Sequence, residues 1–175
     1  DLLNAISNAA KAAAEATAAD RDAAIQVGGR NLLSNRFHTP YSTKTVEIPD
    51  GVQIFGGAEG DIYFYLKPAQ DLTPYSGKQL SLSFDVAGLT SGGGVFYWKN
   101  SASYGSINLQ NGRNVFTFID PDLPSPYILF DNGDWDWVSQ AEPIFLTKFK
   151  LELGNKATDW TPAPEDVQAD YATKL

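Results

Sequence analysis

Residues 80–86 read Leu80-Ser81-Leu82-Ser83-Phe84-Asp85-Val86, an unbroken alternation of apolar and polar side chains. Successive side chains of an extended chain point to opposite faces, so this stretch predicts a half-buried strand. The same period recurs on both sides of it. Ile62, Phe64 and Leu66 alternate with Tyr63 and Tyr65, and Phe145, Thr147, Phe149, Leu151 and Leu153 alternate with Leu146, Lys148, Lys150 and Glu152. Shorter apolar runs stand at 52–55, 95–98, 107–109, 115–119 and 127–130. Turn-forming clusters separate them: Pro49-Asp50-Gly51, Ser91-Gly92-Gly93-Gly94, Asn111-Gly112 and Asp131-Asn132-Gly133. About nine short strands punctuated in this way predict a mainly β protein, an antiparallel jelly-roll β-sandwich. The 138 residues from Gly28 to Glu165 are enough for two packed sheets.

The chain before Gly28 differs in kind. DLLNAISNAAKAAAEATAADRDAAIQV holds 11 alanines among its first 26 residues and no Gly, Pro or aromatic. Alanine is the best helix former, and a helix of about 26 residues is roughly 39 Å long. Leu3, Ile6, Ala10, Ala13, Thr17, Asp20, Ala24 and Val27 step alternately by three and four, a heptad seam that Thr17 and Asp20 weaken. So thin a stripe gains too little by burial for the helix to stand alone in water. It either lies on its own domain or forms an oligomerising stalk, a trimeric coiled coil. The small-residue stripe favours the stalk, with Leu3, Ile6, Ala10, Ala13, Thr17 and Ala24 as its contacts. Gly28-Gly29 ends the helix. The expected organisation is therefore 1–27 stalk, 28–165 sandwich and 166–175 linker or start of a following helix.

Composition narrows the function. A chain of 175 residues that is 43% hydrophobic and 19% charged is too apolar for disorder. No run approaches eighteen apolar residues, so membrane insertion is not expected. With 13 basic and 21 acidic residues the net charge is −8, which disfavours nucleic acid as a partner. There is no Cys and one His, so thiol chemistry and a multi-histidine zinc site are excluded. With no Met and with Asp1 in first place, the chain reads as a piece of a longer polypeptide.

Enzymatic signals are weak. His38 is the sole imidazole, and it lies by Pro40 with no nucleophile-elbow pattern near a serine. Gly92-Gly93-Gly94 leads into a strand without the Lys-Ser or Lys-Thr of a phosphate loop. Carboxylate pairs are inevitable among 15 acidic residues between Gly28 and Glu165, so they select nothing. No catalytic residue is assigned and no cofactor is required. Asp131, Asn132, Asp134 and Asp136 form an oxygen-rich run that suits calcium as a structural ion; its ordinary reading is a polar hairpin turn. Trp98, Tyr104, Trp135 and Trp137 matter more, because large aromatics in polar loops make platforms for sugar rings. Asn100, Asp131, Asp134 and Asp136 stand beside them to meet hydroxyls. The competing reading makes one of these tryptophans a seal at the end of the sandwich.

Two stretches resemble a known family. GGRNLLSNRF, 28–37, resembles the opening of carbohydrate-binding jelly-roll modules and of related domains in bacteriophage tail proteins. FKLELGNKATDWTPAPED, 149–166, resembles the closing strand of those phage domains. The resemblance implies a component of a tail fibre or tail tip in the virion, homotrimeric, with modules strung between helical linkers and host cell-surface glycan as the partner. These are framework motifs, and nothing in them transfers onto Trp98, Trp135 or Trp137. Leu32 and Leu33 open the first strand while Leu151, Leu153 and Trp160 close the last, so the two chain ends can meet, with Trp160 as a plug. The expected function is non-catalytic glycan binding; its rival is a spacer module that binds nothing.

Overall fold

The computed structural model describes residues 1–24, 29–38, 45–56, 64–90, 95–100, 102–119, 128–131 and 141–173. Helix α1 spans Leu2–Ala24, and ten strands follow: β1 Leu33–His38, β2 Thr45–Ile48, β3 Gly51–Ile54, β4 Phe64–Pro68, β5 Gln79–Ala87, β6 Val95–Asn100, β7 Ala102–Asn108, β8 Gly112–Ile119, β9 Ile128–Asp131 and β10 Ile144–Leu153. Helix α2, Pro164–Ala172, closes the described chain. All the pairings are antiparallel, in two five-stranded sheets ordered β1-β4-β9-β6-β7 and β2-β3-β10-β5-β8. Around the β6–β7 hairpin the chain pairs β5 with β8, β4 with β9 and β3 with β10, alternately in one sheet and the other. That is one long antiparallel ribbon wound around a barrel, the wiring of a jelly roll. β2, four residues long, was not marked as a strand by the sequence pattern; it is an edge strand turned back on β3 at Pro49-Asp50.

Leu32, Leu33, Val52, Ile54, Leu66, Leu80, Leu82, Phe84, Val86, Ile144, Leu146, Phe149 and Leu151 form the core between the sheets. Phe84 and Phe149 stack there with ring centroids 5.1 Å apart.

Two expectations about the strands need correction. The polar face of β5 is not wet: Ser81 and Ser83 are both 0% exposed. Segment 154–163 crosses that face as a strap, and Ser81 Oγ donates to the Gly154 carbonyl. The alternation along β10 also changes phase. Ile144 and Leu146 face the core before Lys148, and Phe149 and Leu151 after it, leaving Phe145 and Thr147 on the outer face. The cause is a bulge: Thr147 pairs with Asp85 and Lys150 with Ser83, so three steps on β10 match two on β5. Lys148 takes φ +55° to absorb the extra residue.

Helix α1 fits its composition, and Lys11 and Glu15 form an i,i+4 pair at 3.9 Å. All its side chains from Leu2 to Glu15 are exposed, Leu2 by 76%, Leu3 by 75% and Ile6 by 58%. Over these residues the helix does not bury a face on its own domain.

Candidate functional site

The sequence-predicted binding residues fall on one sheet where they are described at all. Trp98 and Asn100 lie on β6, Tyr104 on β7 and Asp131 at the end of β9; β6 runs between the other two. Trp98 stands opposite Gly105 on one side and Phe130 on the other. Lys99 then pairs with Ser103, so Tyr104 is the extra residue of a bulge beside Trp98. Asp131 pairs with Tyr97, out of phase with Trp98 along the pleat. Asn132, Asp134, Trp135, Asp136 and Trp137 lie outside the described residues. Among the described residues no group of three or more His, Asp or Glu is placed to hold a metal ion. No described helix is long and apolar enough to cross a membrane. Of the stalk positions, Leu3, Ile6, Ala10 and Ala13 are exposed on α1, which also carries Thr17 and Ala24.

The two framework motifs meet at one root of the sandwich. Asn31, 1% exposed, donates through Nδ2 to the carbonyls of Phe149 and Thr161, both at 3.0 Å. Its Oδ1 accepts from the amides of Leu33 and Leu151. The Leu32 amide donates to the Leu151 carbonyl at 2.8 Å. Ser34 donates to Asp166 at 2.7 Å, and Arg30 pairs with Glu165. The chain thus enters and leaves the sandwich side by side.

The closing motif has a chemical basis. Lys150 and Glu152, 1% and 0% exposed, stand two apart on the outer face of β10, 3.7 Å from each other. Lys150 Nζ donates to Thr158 Oγ1 and the Asp159 carbonyl, both at 2.7 Å. Glu152 accepts from the Thr158 amide and hydroxyl, also at 2.7 Å. Arg113 on β8 donates to Ser83 Oγ and the Thr158 carbonyl from the side. Lysine, glutamate and threonine at 150, 152 and 158 therefore hold the strap down. Trp160 is half-buried in that strap, and its indole N–H is buried with no partner among the described residues.

A second surface escaped the sequence analysis because the bulge hid it. Beyond the strap, parts of the outer face of the β2-β3-β10-β5-β8 sheet are exposed. Val46, Gln53, Phe145 and Ala87 line up across it by register, with Phe55 beyond Gln53. Val46 and Phe55 are 41% and 42% exposed. The next row holds Ile48, Gly51, Thr147, Asp85 and Arg113. A Cβ at Gly51 would run into the Leu146 carbonyl and Thr147, so β3 and β10 pack closely there and only glycine fits. Lys148 Nζ and Arg113 both lie 3.4 Å from Asp85. A non-glycine residue held at left-handed φ costs about 1–2 kcal/mol. An ion pair as exposed as Lys148–Asp85 returns about 0.2–1 kcal/mol. Glycine would fill the bulge without that strain, at its own cost of about 0.5–1 kcal/mol within a strand.

Comparison with known proteins gives likenesses of architecture. No family model matches the chain, and no curated protein does. Among solved structures, the tripod from the baseplate of bacteriophage Tuc2009 is similar with a TM-score of 0.43 and 15% identity, over 81% of this chain and 61% of that one. The chain thus spans about three fifths of the tripod chain. The CBM22-1 and GH10 modules of an endo-1,4-β-D-xylanase from Clostridium thermocellum, complexed with xylohexaose, give 0.41 and 9%, over 77% and 29%. A family 29 carbohydrate-binding module gives 0.39 and 15%, over 75% and 94%. All these TM-scores are below 0.5, so the functional reading rests on the chain's own residues.

Proposed function

We propose that this chain is a segment of a phage or prophage tail fibre whose jelly roll binds host cell-surface carbohydrate without cleaving it. The observation that carries the reading is the root of the sandwich. The stretches 28–37 and 149–166, which resemble the opening and closing of phage tail domains, are joined there through Asn31, Leu32, Ser34 and Arg30. Glycan contact is assigned to Trp98, Asn100 and Tyr104 on β6 and β7, with Asp134, Trp135, Asp136 and Trp137 completing it. No cofactor is needed; calcium at Asp131–Asp136 would be a structural addition, read as a melting temperature that chelator lowers. The exposed stripe on α1 supports a homotrimer, in which weak sugar contacts gain about 10²- to 10⁴-fold by avidity. Neighbouring tail modules of a longer chain are the remaining partners, and the virion tail is the location.

One observation favours a second reading. The motif residues that the structure connects, Asn31, Lys150, Glu152 and Thr158, all serve the framework. A spacer module without ligand would need no more than these. A glycan array probed with the whole chain separates the two, with product analysis of any hit. Binding to a defined sugar class with the glycan left intact is the expected result. Failure on every glycan would leave the spacer, and released products would make the chain a hydrolase.

A further inference from the structure

We propose that the open outer face of the β2-β3-β10-β5-β8 sheet is a second saccharide site, one that takes an acidic sugar. The inference rests on the glycan-binding reading above and names a ligand class and a place for it. Three observations converge. First, apolar side chains are partly exposed here, Val46 by 41% and Phe55 by 42%, with Phe145 in register between Gln53 and Ala87, and a half-exposed ring of this kind stacks on the apolar face of a pyranose. Gln53 and Thr147 sit within the same rows as hydrogen-bond partners for hydroxyls. Second, two cations, Lys148 and Arg113, both reach the carboxylate of Asp85 at the rim of this patch. Arg113 is already engaged by Ser83 and Thr158, whereas Lys148 is 53% exposed and has the ammonium to offer. Third, the bulge keeps a lysine where glycine would be strain-free, and the re-aimed ammonium lands on this face beside Asp85. An anionic group on the sugar, carboxylate or phosphate, would pair with the exposed Lys148 ammonium beside Asp85.

The test is a backbone amide shift titration of the whole chain with glucuronate, glucose 6-phosphate, glucose and inorganic phosphate as separate probes. Either acidic sugar should shift amides at 46, 53, 87 and 145–148 and bind at least about tenfold more tightly than glucose. Glucuronate and glucose 6-phosphate together identify which anion is preferred. Inorganic phosphate binding as well as glucose 6-phosphate would reduce the site to a cation patch and overturn the sugar. Lys148→Gln should remove the preference for the acidic sugars about tenfold while the melting temperature holds; Phe55→Ser, at an exposed position, should weaken both acidic sugars and leave the fold intact. Equal binding of glucose and glucuronate, insensitive to Lys148→Gln, would overturn the proposal. Shifts confined to β6 and β7 would also overturn it, while leaving the glycan-binding function standing. Silence toward all four probes together with an array that lights up would again sink only this site; silence in both would sink the function with it.

Discussion

The amide of Asn31 is used completely, with two donations to carbonyls and two acceptances from backbone amides in a site that water does not reach. Removing such a partner leaves buried groups unpaired at about 1–3 kcal/mol each, with some relief from relaxation. Asn31→Ala is therefore expected to lower stability by about 2–4 kcal/mol, seen as a lower urea midpoint at unchanged slope. Asn31→Asp should do no better, because a carboxylate cannot donate to the Phe149 and Thr161 carbonyls. A tolerated aspartate would show that only the two acceptances matter. The residue was visible in the sequence only as part of GGRNLLSN; three of its four partners lie more than a hundred positions away, so no local pattern could reveal its task. Lys148 behaves in the opposite sense. Glycine inside a strand ordinarily costs about 0.5–1 kcal/mol, but at φ +55° it relieves strain. Lys148→Gly should thus leave stability unchanged or raise it by up to about 1 kcal/mol by chemical denaturation. A clear loss would mean that the Lys148–Asp85 pair contributes more than exposed pairs usually do.

Strand β10 shows how far a period can be read and where it fails. Its alternation was legible, and so was the strand; the phase of its first half was not. Glycine or asparagine at the bulge would have flagged a left-handed residue, whereas a lysine among alternating residues looks regular. The result is that Phe145 and Thr147, in phase with Phe149 and Leu151 by sequence, lie on the opposite face from them. The polar face of β5 was likewise read as wet, because a covering strap 70 residues downstream leaves no mark on the local pattern. Lys150 and Glu152, read as ordinary polar positions, are the buried charges beneath that strap. Breaking a buried pair by removing one partner costs about 3–5 kcal/mol, since the other charge is left without compensation, while replacing both with apolar groups is often close to neutral. Lys150→Met is accordingly expected to be strongly destabilising, and Lys150→Met/Glu152→Leu to recover much of the loss. Thr158 sets the limit of that recovery, because its hydroxyl and amide lose their partners in the double variant. A double-mutant cycle by urea denaturation gives the coupling directly; strictly additive losses would mean that strap and strand are held by the backbone and Asn31 alone.

At the scale of the molecule, the class of fold followed from strand period and turn chemistry, because both are local. The wiring did not, since pairing β3 with β10 or β4 with β9 is decided by which buried faces match across long loops. The residues proposed to face a sugar stayed least legible, since the framework motifs do not reach them; those that are described, Trp98 and Tyr104, lie on β6 and β7. The meeting of entry and exit at Arg30 and Glu165 has a consequence for assembly. A sandwich whose entry and exit adjoin can be carried by a stalk at one end. The proposed oligomerisation is placed on α1, where Leu2, Leu3 and Ile6 are exposed and an alanine-rich helix has no cover from the described chain over residues 1–15. A lone helix of that composition is marginal in water, so burial against copies of itself is the available source of its stability. Light scattering at tens of micromolar should then give three times the 19.0 kDa chain mass. Leu3→Ser/Ile6→Ser should return it to 19.0 kDa and lower helicity, with the melting transition of the sandwich unmoved. A wild-type monomer at that concentration would remove the stalk, and with it the avidity on which weak sugar contacts depend. A trimer that survives the double substitution would instead move the contact to the sandwich, whose open sheet face would then be occupied by protein and closed to any sugar.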